Sequence, residues 1–106
     1  MAEVRVDINN VQVPVEARVG DTLVVYLPEN PTTGYRWHAS AGPQLVPSAD
    51  QFTPQRDAAV GGGGIRTLRF TVVSAGSGKI ELQLRRQWEV GAPQQSISIA
   101  YGANDR

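Results

Sequence analysis

The chain has 106 residues, no cysteine, and ten acidic residues against ten basic ones, so its formal net charge is zero. The lack of cysteine excludes disulfide bonds and thiolate metal sites. The balanced, unclustered charge argues against a nucleic-acid or membrane partner, and no apolar run approaches the roughly 18 residues of a membrane-spanning helix. The length suits a single domain over residues 1–106, which we expect to be a monomer when free.

The N-terminal sequence MAEVRVDI has neither the basic n-region nor the apolar h-region of a secretory signal. We therefore expect no signal peptide in the sequence as given. The sequence leaves the location unknown: it would be cytoplasmic as written, and periplasmic or secreted if a leader was removed.

Alternation of apolar and polar residues with a period of two predicts β-strands along most of the chain. Val4, Val6 and Ile8 show it first, with charged residues between them. A further strand within 11–19 is interrupted by Pro14, which belongs on a sheet edge. No segment predicts a helix. The other predicted strands are 3–8, 22–27, 35–40, one within 44–53, 65–73, 79–86 and 96–101.

Glycine and proline punctuate these strands about every ten residues, and many short strands with regular turns are typical of a two-sheet sandwich. Residues 42–60 have the weakest periodicity and predict a long connection with one short strand. The predicted fold is all-β, an immunoglobulin-like β-sandwich of about seven to eight strands. Alternate connections in such a fold lie at the same end.

The first unusual connection is Asn30-Pro31-Thr32-Thr33-Gly34. Asparagine followed by proline suits a type I turn, and the glycine suits a positive φ. Proline and two β-branched threonines restrict the backbone, so we expect a stiff loop that exposes two hydroxyl groups. Considered alone, the same residues are also explained by an ordinary turn between strands.

The second unusual connection contains four consecutive glycines, Gly61, Gly62, Gly63 and Gly64. A backbone without side chains allows another chain to approach closely and to pair with its N–H and C=O groups. A flexible linker is the alternative interpretation. A phosphate-binding loop does not fit, because no lysine follows the glycines and no helix is predicted after them.

The third unusual connection is Arg86-Gln87-Trp88, which follows the strand predicted over 79–86. Arg86 and Trp88 continue the phase of the core residues, but arginine is rarely buried without a partner. We therefore expect the strand to end near Arg85, with Arg86 and Trp88 projecting from it as residue types enriched at binding hot spots. The alternative is that Trp88 caps the core with Arg86 stacked over it.

All three connections are predicted to lie at the same end of the sandwich. The sequences NPTTG, GGGG and RQW, in this order and at this spacing, resemble those of the chagasin-like inhibitors of papain-type cysteine peptidases. That family carries an N-P-T-T-G loop, a G-x-G-G loop and an R-P-W loop near the C-terminus, so Gln87 stands where the family has proline. The resemblance spans nearly the whole chain.

The resemblance implies a reversible protein inhibitor rather than an enzyme, with no catalytic residue, no metal and no cofactor. Its partner would be a papain-family cysteine peptidase, and the loops 30–34, 61–64 and 86–88 would form a three-part wedge that occludes the active-site cleft. With glutamine at position 87, the third loop is expected to be less rigid than in the family.

The resemblance also implies a role for each loop. Thr32 and Thr33 would lie nearest the peptidase's cysteine and histidine. The glycine loop would pair its backbone along the non-primed side of the cleft. Trp88, with Arg86, would pack on the primed side.

Two other function classes fit the sequence less well. An enzyme is disfavoured because His38 is the one histidine and shares the phase of Arg36, which predicts a solvent-facing side chain, and the scattered acidic residues suggest no metal cluster. The alternative function is a carbohydrate-binding or adhesion β-sandwich, in which Trp37, Trp88 and Tyr101 would stack on sugars. Against it, Trp37 lies in the core phase of its strand.

Overall fold

The computed structural model describes residues 2–55, 63–86, 88 and 91–105. Eight strands and one short 3-10 helix make up its regular structure. The strands are β1 (Glu3–Val6), β2 (Val15–Arg18), β3 (Thr22–Glu29), β4 (Tyr35–Ser40), β5 (Leu45–Pro54), β6 (Gly64–Val72), β7 (Gly76–Arg86) and β8 (Gln95–Asn104), and the 3-10 helix is Pro31–Thr33. No helix in the described part of the chain is long and apolar enough to cross a membrane.

The strands form two four-stranded sheets, with the orders β1-β3-β6-β5 and β2-β8-β7-β4. The pairs β1–β3 and β2–β8 are parallel, and the remaining pairs are antiparallel. This arrangement confirms the predicted all-β, immunoglobulin-like sandwich, because β3, β6 and β5 form one sheet while β4, β7 and β8 form the other.

The core lies between the sheets and consists of the inward-facing residues of each strand. Leu23, Val25 and Leu27 of β3 are fully buried and share the core with Ile80 and Leu82 of β7. Each side chain of this kind stabilises the fold by about 1.5–3 kcal/mol through burial of apolar surface. The period-two signal of the sequence is therefore the signature of this shared interior.

Two segments differ from the sequence-based expectation. The segment expected to be a long connection with one short strand contains β5, which is ten residues long. A register shift between Pro47 and Ala49 interrupts its pairing with β6, and the strand is mostly exposed at the sheet edge, so its sequence lacks a regular apolar alternation. Within 11–19 the strand β2 begins at Val15, immediately after Pro14. It lies at the edge of its sheet, as expected.

The strand register brings the connections after β3, β5 and β7 to one end of the sandwich, which we call the loop end. In the first sheet, Gly64 pairs with both Glu29 and Pro54. In the second sheet, Tyr35 pairs with Arg86. Each of these residues is the last or first of its strand, so the three connections leave from the same place. The prediction that they share an end is confirmed.

The opposite end of the sandwich is closed around Asp21, whose buried carboxylate accepts the backbone N–H groups of Ala2 and Arg18, both at 3.0 Å. These bonds, that of Ala2 first, hold the pKa of Asp21 below its usual value. Main-chain hydrogen bonds complete this end: Gly20 N–H donates to the Val72 carbonyl at 2.8 Å, and Val72 N–H donates to the Asp21 carbonyl at 2.9 Å.

Candidate functional site

The first loop is a single 3-10 turn with a cap at each end. Asn30 is the N-cap, and its side-chain oxygen accepts the N–H of Thr32 at 3.1 Å. Pro31 occupies the first helical position, where its missing N–H costs nothing. Gly34 ends the turn at φ 81°, and its N–H donates to the Pro31 carbonyl at 3.1 Å. The positive φ predicted for this glycine is confirmed.

The two threonine hydroxyls hold the first loop in shape. Thr32 Oγ1 donates to Asn30 Oδ1 at 2.6 Å, and Thr33 Oγ1 donates to the Asn30 carbonyl at 2.8 Å. Thr33 Oγ1 also accepts the N–H of Tyr35 at 3.3 Å. Both side chains lie on the surface, as expected, but their hydroxyls bond within the loop. The expected stiffness therefore comes from hydrogen bonds as well as from backbone restriction.

The third loop contacts the first directly. Arg86 Nε donates to the Thr33 carbonyl at 3.2 Å, and its guanidinium lies 4.5 Å from the centre of the Tyr35 ring. A Cβ placed on Gly34 would lie 2.8 Å from Cη2 of Trp88, so the indole packs against the bare face of that glycine. Glycine at this position thus serves the turn and the contact together.

Trp88 does not cap the core, because 71% of its surface is exposed. The expectation that β7 ends close to Arg85 and that Arg86 and Trp88 lie beyond the core is confirmed, since the strand ends at Arg86. Gln87 lies outside the described residues. An exposed tryptophan fixed beside a rigid turn is a large apolar surface available to a partner.

The second loop is described only at its end, because Gly61 and Gly62 lie outside the described residues. A Cβ on Gly63 would lie 2.8 Å from the Glu29 carbonyl oxygen, and one on Gly64 would overlap the Thr53 carbonyl oxygen. Gly63 and Gly64 therefore lack side chains because the protein's own backbone passes close to them. Gly63 also lies beside the first loop, since its Cβ would be 3.6 Å from that of Asn30.

A buried carboxylate lies directly beneath the first loop. Glu29, whose side chain is 0% exposed, forms an ion pair with Arg66 Nη2 at 2.8 Å. Its Oε2 also accepts Arg66 Nε at 2.8 Å, and its Oε1 accepts the backbone N–H of Trp37 at 2.9 Å. Arg66 pairs in turn with Asp50 at 2.6 Å. The hydrogen bond that Arg66 donates to Glu29 is the main reason that the pKa of Arg66 is raised.

Glu29 and Arg66 are not among the site residues predicted from the sequence, although the sequence contains a signal for them. Glu29 continues the inward phase of the apolar residues of β3, and Arg66 shares the phase of Leu68 and Phe70 in β6. A single charge of opposite sign on the apolar face of each of two paired strands predicts a buried ion pair, because an unpaired charge there would be costly.

His38 does not create a catalytic site. It is half-buried rather than fully solvent-facing, and its Nε2 has no hydrogen-bond partner within the described residues. Burial, followed by the nearby charges of Arg85 and Arg36, lowers the pKa of His38. The described part of the chain contains no group of acidic or histidine side chains that could hold a metal ion.

The carbohydrate-binding alternative loses most of its proposed contacts. Trp37 is only 6% exposed and donates its Nε1–H to the Pro28 carbonyl at 2.8 Å. Tyr101 is 2% exposed and donates its hydroxyl to Gln44 Oε1 at 2.7 Å. Of the three aromatic residues considered for stacking on sugars, Trp88 alone is accessible.

Comparison with known proteins agrees with this geometry. Residues 16–101 match the chagasin family peptidase inhibitor I42. The chain is 33% identical to chagasin of Trypanosoma cruzi over an alignment of 76 residues that covers 66% of this chain and 69% of chagasin. It is 29% identical to amoebiasin-1 of Entamoeba histolytica over 94 residues, which are 88% of this chain and 90% of that protein.

A solved structure shows the same fold. The cysteine protease inhibitor EhICP2 from Entamoeba histolytica superposes with a TM-score of 0.84 at 21% identity, covering 97% of this chain and 96% of that one. The family match includes all three loops of the loop end. The chain therefore belongs to the chagasin family, and it is a cysteine peptidase inhibitor rather than an enzyme or a sugar-binding module.

Proposed function

We propose that the protein inhibits papain-type cysteine peptidases reversibly by placing its loop end in the active-site cleft. Thr32 and Thr33 lie nearest the peptidase's cysteine and histidine, and Trp88 with Arg86 packs on the primed side. The observation that carries this proposal is the contact between the first and third loops, which joins a capped turn to an exposed indole.

The first loop blocks the cleft without becoming a substrate. Its backbone is a 3-10 turn closed by hydrogen bonds from Thr33 N–H to the Asn30 carbonyl and from Gly34 N–H to the Pro31 carbonyl. A peptide bond held in this turn is not offered to the thiolate in an attack geometry. The chain has no cysteine of its own, so no mixed disulfide with the peptidase can form. Inhibition is thus non-covalent.

Preorganisation lowers the cost of binding, because the first loop is already ordered in the free protein. Three loops can supply the roughly 800 Å² per partner of a standard interface. The formal net charge of zero gives little long-range steering, so high affinity would come mainly from slow dissociation.

The glycine loop has a narrower role than the other two. Gly63 and Gly64 face the protein's own backbone, and they place the loop beside Asn30. Backbone pairing along the non-primed side is assigned to Gly61 and Gly62, and that assignment rests on the family resemblance.

A titration of papain and cathepsin L with the protein tests the proposal, with trypsin as the control. We expect both cysteine peptidases to lose activity at near-stoichiometric amounts, full recovery after dilution, and no effect on trypsin. If micromolar protein leaves papain and cathepsin L fully active, the proposal is wrong. Binding to a glycan array in that case would favour the carbohydrate-binding alternative.

A further inference from the structure

The carboxylate of Glu29 connects three elements at the base of the first loop. It belongs to the last residue of β3, immediately before Asn30. One oxygen binds the backbone N–H of Trp37 in β4, which lies in the other sheet, and the other oxygen binds Arg66 in β6. The two strands that flank the first loop are therefore tied to each other and to the strand that follows the glycine loop.

A second bond reinforces the connection between the flanking strands. Trp37 donates its indole N–H to the Pro28 carbonyl at 2.8 Å, one residue before Glu29. The entry and exit of the loop are thus joined twice, once by a charged side chain and once by an indole.

Stability alone does not explain a charged pair at this position. Removing two charges from water is expensive, and well-packed apolar residues of similar volume are often as stable or more stable. The same strands are held at the opposite end of the sandwich by Leu23 and Phe70, which pair across β3 and β6 and are buried. An apolar solution therefore exists within the same strand pair.

A charged pair provides direction, which apolar packing does not. Nε and Nη2 of Arg66 both contact Oε2 of Glu29 at 2.8 Å, and Oε1 accepts the Trp37 N–H, so this two-point contact of the planar guanidinium and the bond to Trp37 together restrict the orientation of the carboxylate. The remaining nitrogen of the fork binds Asp50 on the edge strand β5, which leads into the glycine loop. The network of Glu29, Arg66 and Asp50 therefore connects the base of the first loop to β5 and β6, the two strands that flank the glycine loop.

We infer that Glu29 and Arg66 are a positioning pair, which sets the angle at which the first loop projects relative to the other two loops and so determines the strength of inhibition. This inference rests on the proposed function. The hydrogen bonds within the loop fix its conformation, and the pair beneath it fixes its direction. Neither residue needs to touch the peptidase.

The double variant E29M/R66M tests the inference, because methionine approximates the length of both side chains and removes both charges together. We expect the variant to keep a cooperative melting transition, lowered by several degrees because the buried Trp37 N–H loses its acceptor, and the inhibition constant for papain to rise at least about tenfold. The matched control is E3M/R69M, which removes the ion pair between Arg69 and Glu3 on the outer side of β6. That control should inhibit like the wild type.

Hydrogen exchange provides a readout that does not depend on a peptidase. The N–H groups of Thr33 and Gly34 are hydrogen-bonded within the loop, and that of Trp37 binds Glu29. We expect the Trp37 amide to exchange faster in E29M/R66M while the two loop amides keep their protection, since direction changes and conformation does not. The E3M/R69M control should leave all three amides unchanged.

The outcomes separate this inference from the proposed function. If the wild type inhibits papain and E29M/R66M inhibits equally well, the positioning role is wrong and the proposed function stands. If E29M/R66M loses inhibition together with its cooperative melting transition, the single variant R66K decides. It keeps the charge but not the two-point contact, so weaker inhibition by a folded R66K supports the inference, and unchanged inhibition overturns it. If the wild type itself does not inhibit, the proposed function fails first.

Discussion

The two ends of the sandwich are closed by carboxylates that bind different partners. At the opposite end, Asp21 accepts two backbone N–H groups, and neighbouring main-chain bonds complete the closure. At the loop end, Glu29 accepts one backbone N–H group and a guanidinium. Around Asp21 most of the hydrogen bonds involve the backbone, and Tyr101 adds one side-chain bond to Gln44. Beneath the first loop, by contrast, the long side chains of Glu29 and Arg66 bind each other.

This difference separates what stabilises the fold from what presents a surface. Backbone closure at Asp21 satisfies buried polar groups within the fold. The side chain of Glu29 lies beneath the turn of residues 30–34, which packs beside Arg86 and the exposed Trp88. Substitutions at the loop end should therefore weaken inhibition, whereas substitutions at the opposite end should change the melting temperature without changing inhibition.

The substitution Trp88→Ala should weaken the inhibition of papain more than any other change. Because the indole is mostly exposed, its loss should leave the melting temperature nearly unchanged, while the inhibition constant for papain rises about 30-fold, corresponding to about 2 kcal/mol for a hot-spot tryptophan. Val73→Ala, which trims an exposed apolar residue at the opposite end, is the control and should not change inhibition. An unaltered constant for Trp88→Ala would remove the third loop from the proposed interface.

The substitutions Gly34→Ala and Gly20→Ala introduce the same kind of backbone strain at the two ends of the sandwich. Gly34 has a φ of 81° and Gly20, at the opposite end, a φ of 98°, so alanine at either position should cost about 1 kcal/mol of stability. Only at position 34 would the added Cβ also press on the ring of Trp88. We expect similar losses in melting temperature for Gly34→Ala and Gly20→Ala, but weaker inhibition for Gly34→Ala alone. Equal inhibition by the two variants would contradict the contact between the first and third loops.

Thr33→Val tests whether the hydroxyl supports the loop. Valine keeps the β-branch but removes a donor to Asn30 and an acceptor for Tyr35, each worth about 0.5–1.5 kcal/mol. We expect inhibition to weaken several-fold, and Thr33→Ser, which keeps the hydroxyl, to stay near the wild-type value. The inhibition constants of the three proteins, measured side by side, decide the matter. A valine variant that inhibits as strongly as the wild type would contradict the supporting role of the hydroxyl.

The smallest expected effect on inhibition comes from Asp21→Asn, which should instead lower the melting temperature by several degrees at neutral pH. The pKa of Asp21 is lowered in the folded protein, so its contribution to stability is present above the unfolded-state pKa and is lost as pH falls through the folded-state pKa. Melting curves between pH 7 and pH 2 should therefore converge for wild type and Asp21→Asn. Asp105→Asn, at an exposed residue, is the control.

Much of the fold was predictable because the core alternates with a period of two. The alternating apolar residues of β3 and β7 predicted these strands. The glycine and proline residues between successive strands predicted the connections, and the alternating direction of the strands placed three of them at one end. The strand β5 was predicted only as a short one, since a bulge and an exposed edge position remove its alternation. Sequence periodicity indicates a strand only where one of its faces is buried, and most residues of β5 are exposed.

The candidate site was predictable in its members but not in its internal contacts. The sequence indicated Thr33 and Trp88, but not that both threonine hydroxyls bond within the loop or that the indole packs on Gly34. Nor did it indicate that Gly63 faces the Glu29 carbonyl. These contacts depend on tertiary distances between loops far apart in the chain, which local patterns do not contain.

The capped turn of residues 30–34 has a consequence for peptide design. Its shape is local information, because Asn30, Pro31 and Gly34 supply the caps and the bonds that close it. The direction in which it projects is not local information, because Glu29 binds Arg66, which lies 37 positions away in the sequence. A cyclised pentapeptide with this sequence should thus inherit the conformation of the loop but not its direction. An inhibitor built from it would need a scaffold that supplies the missing angle.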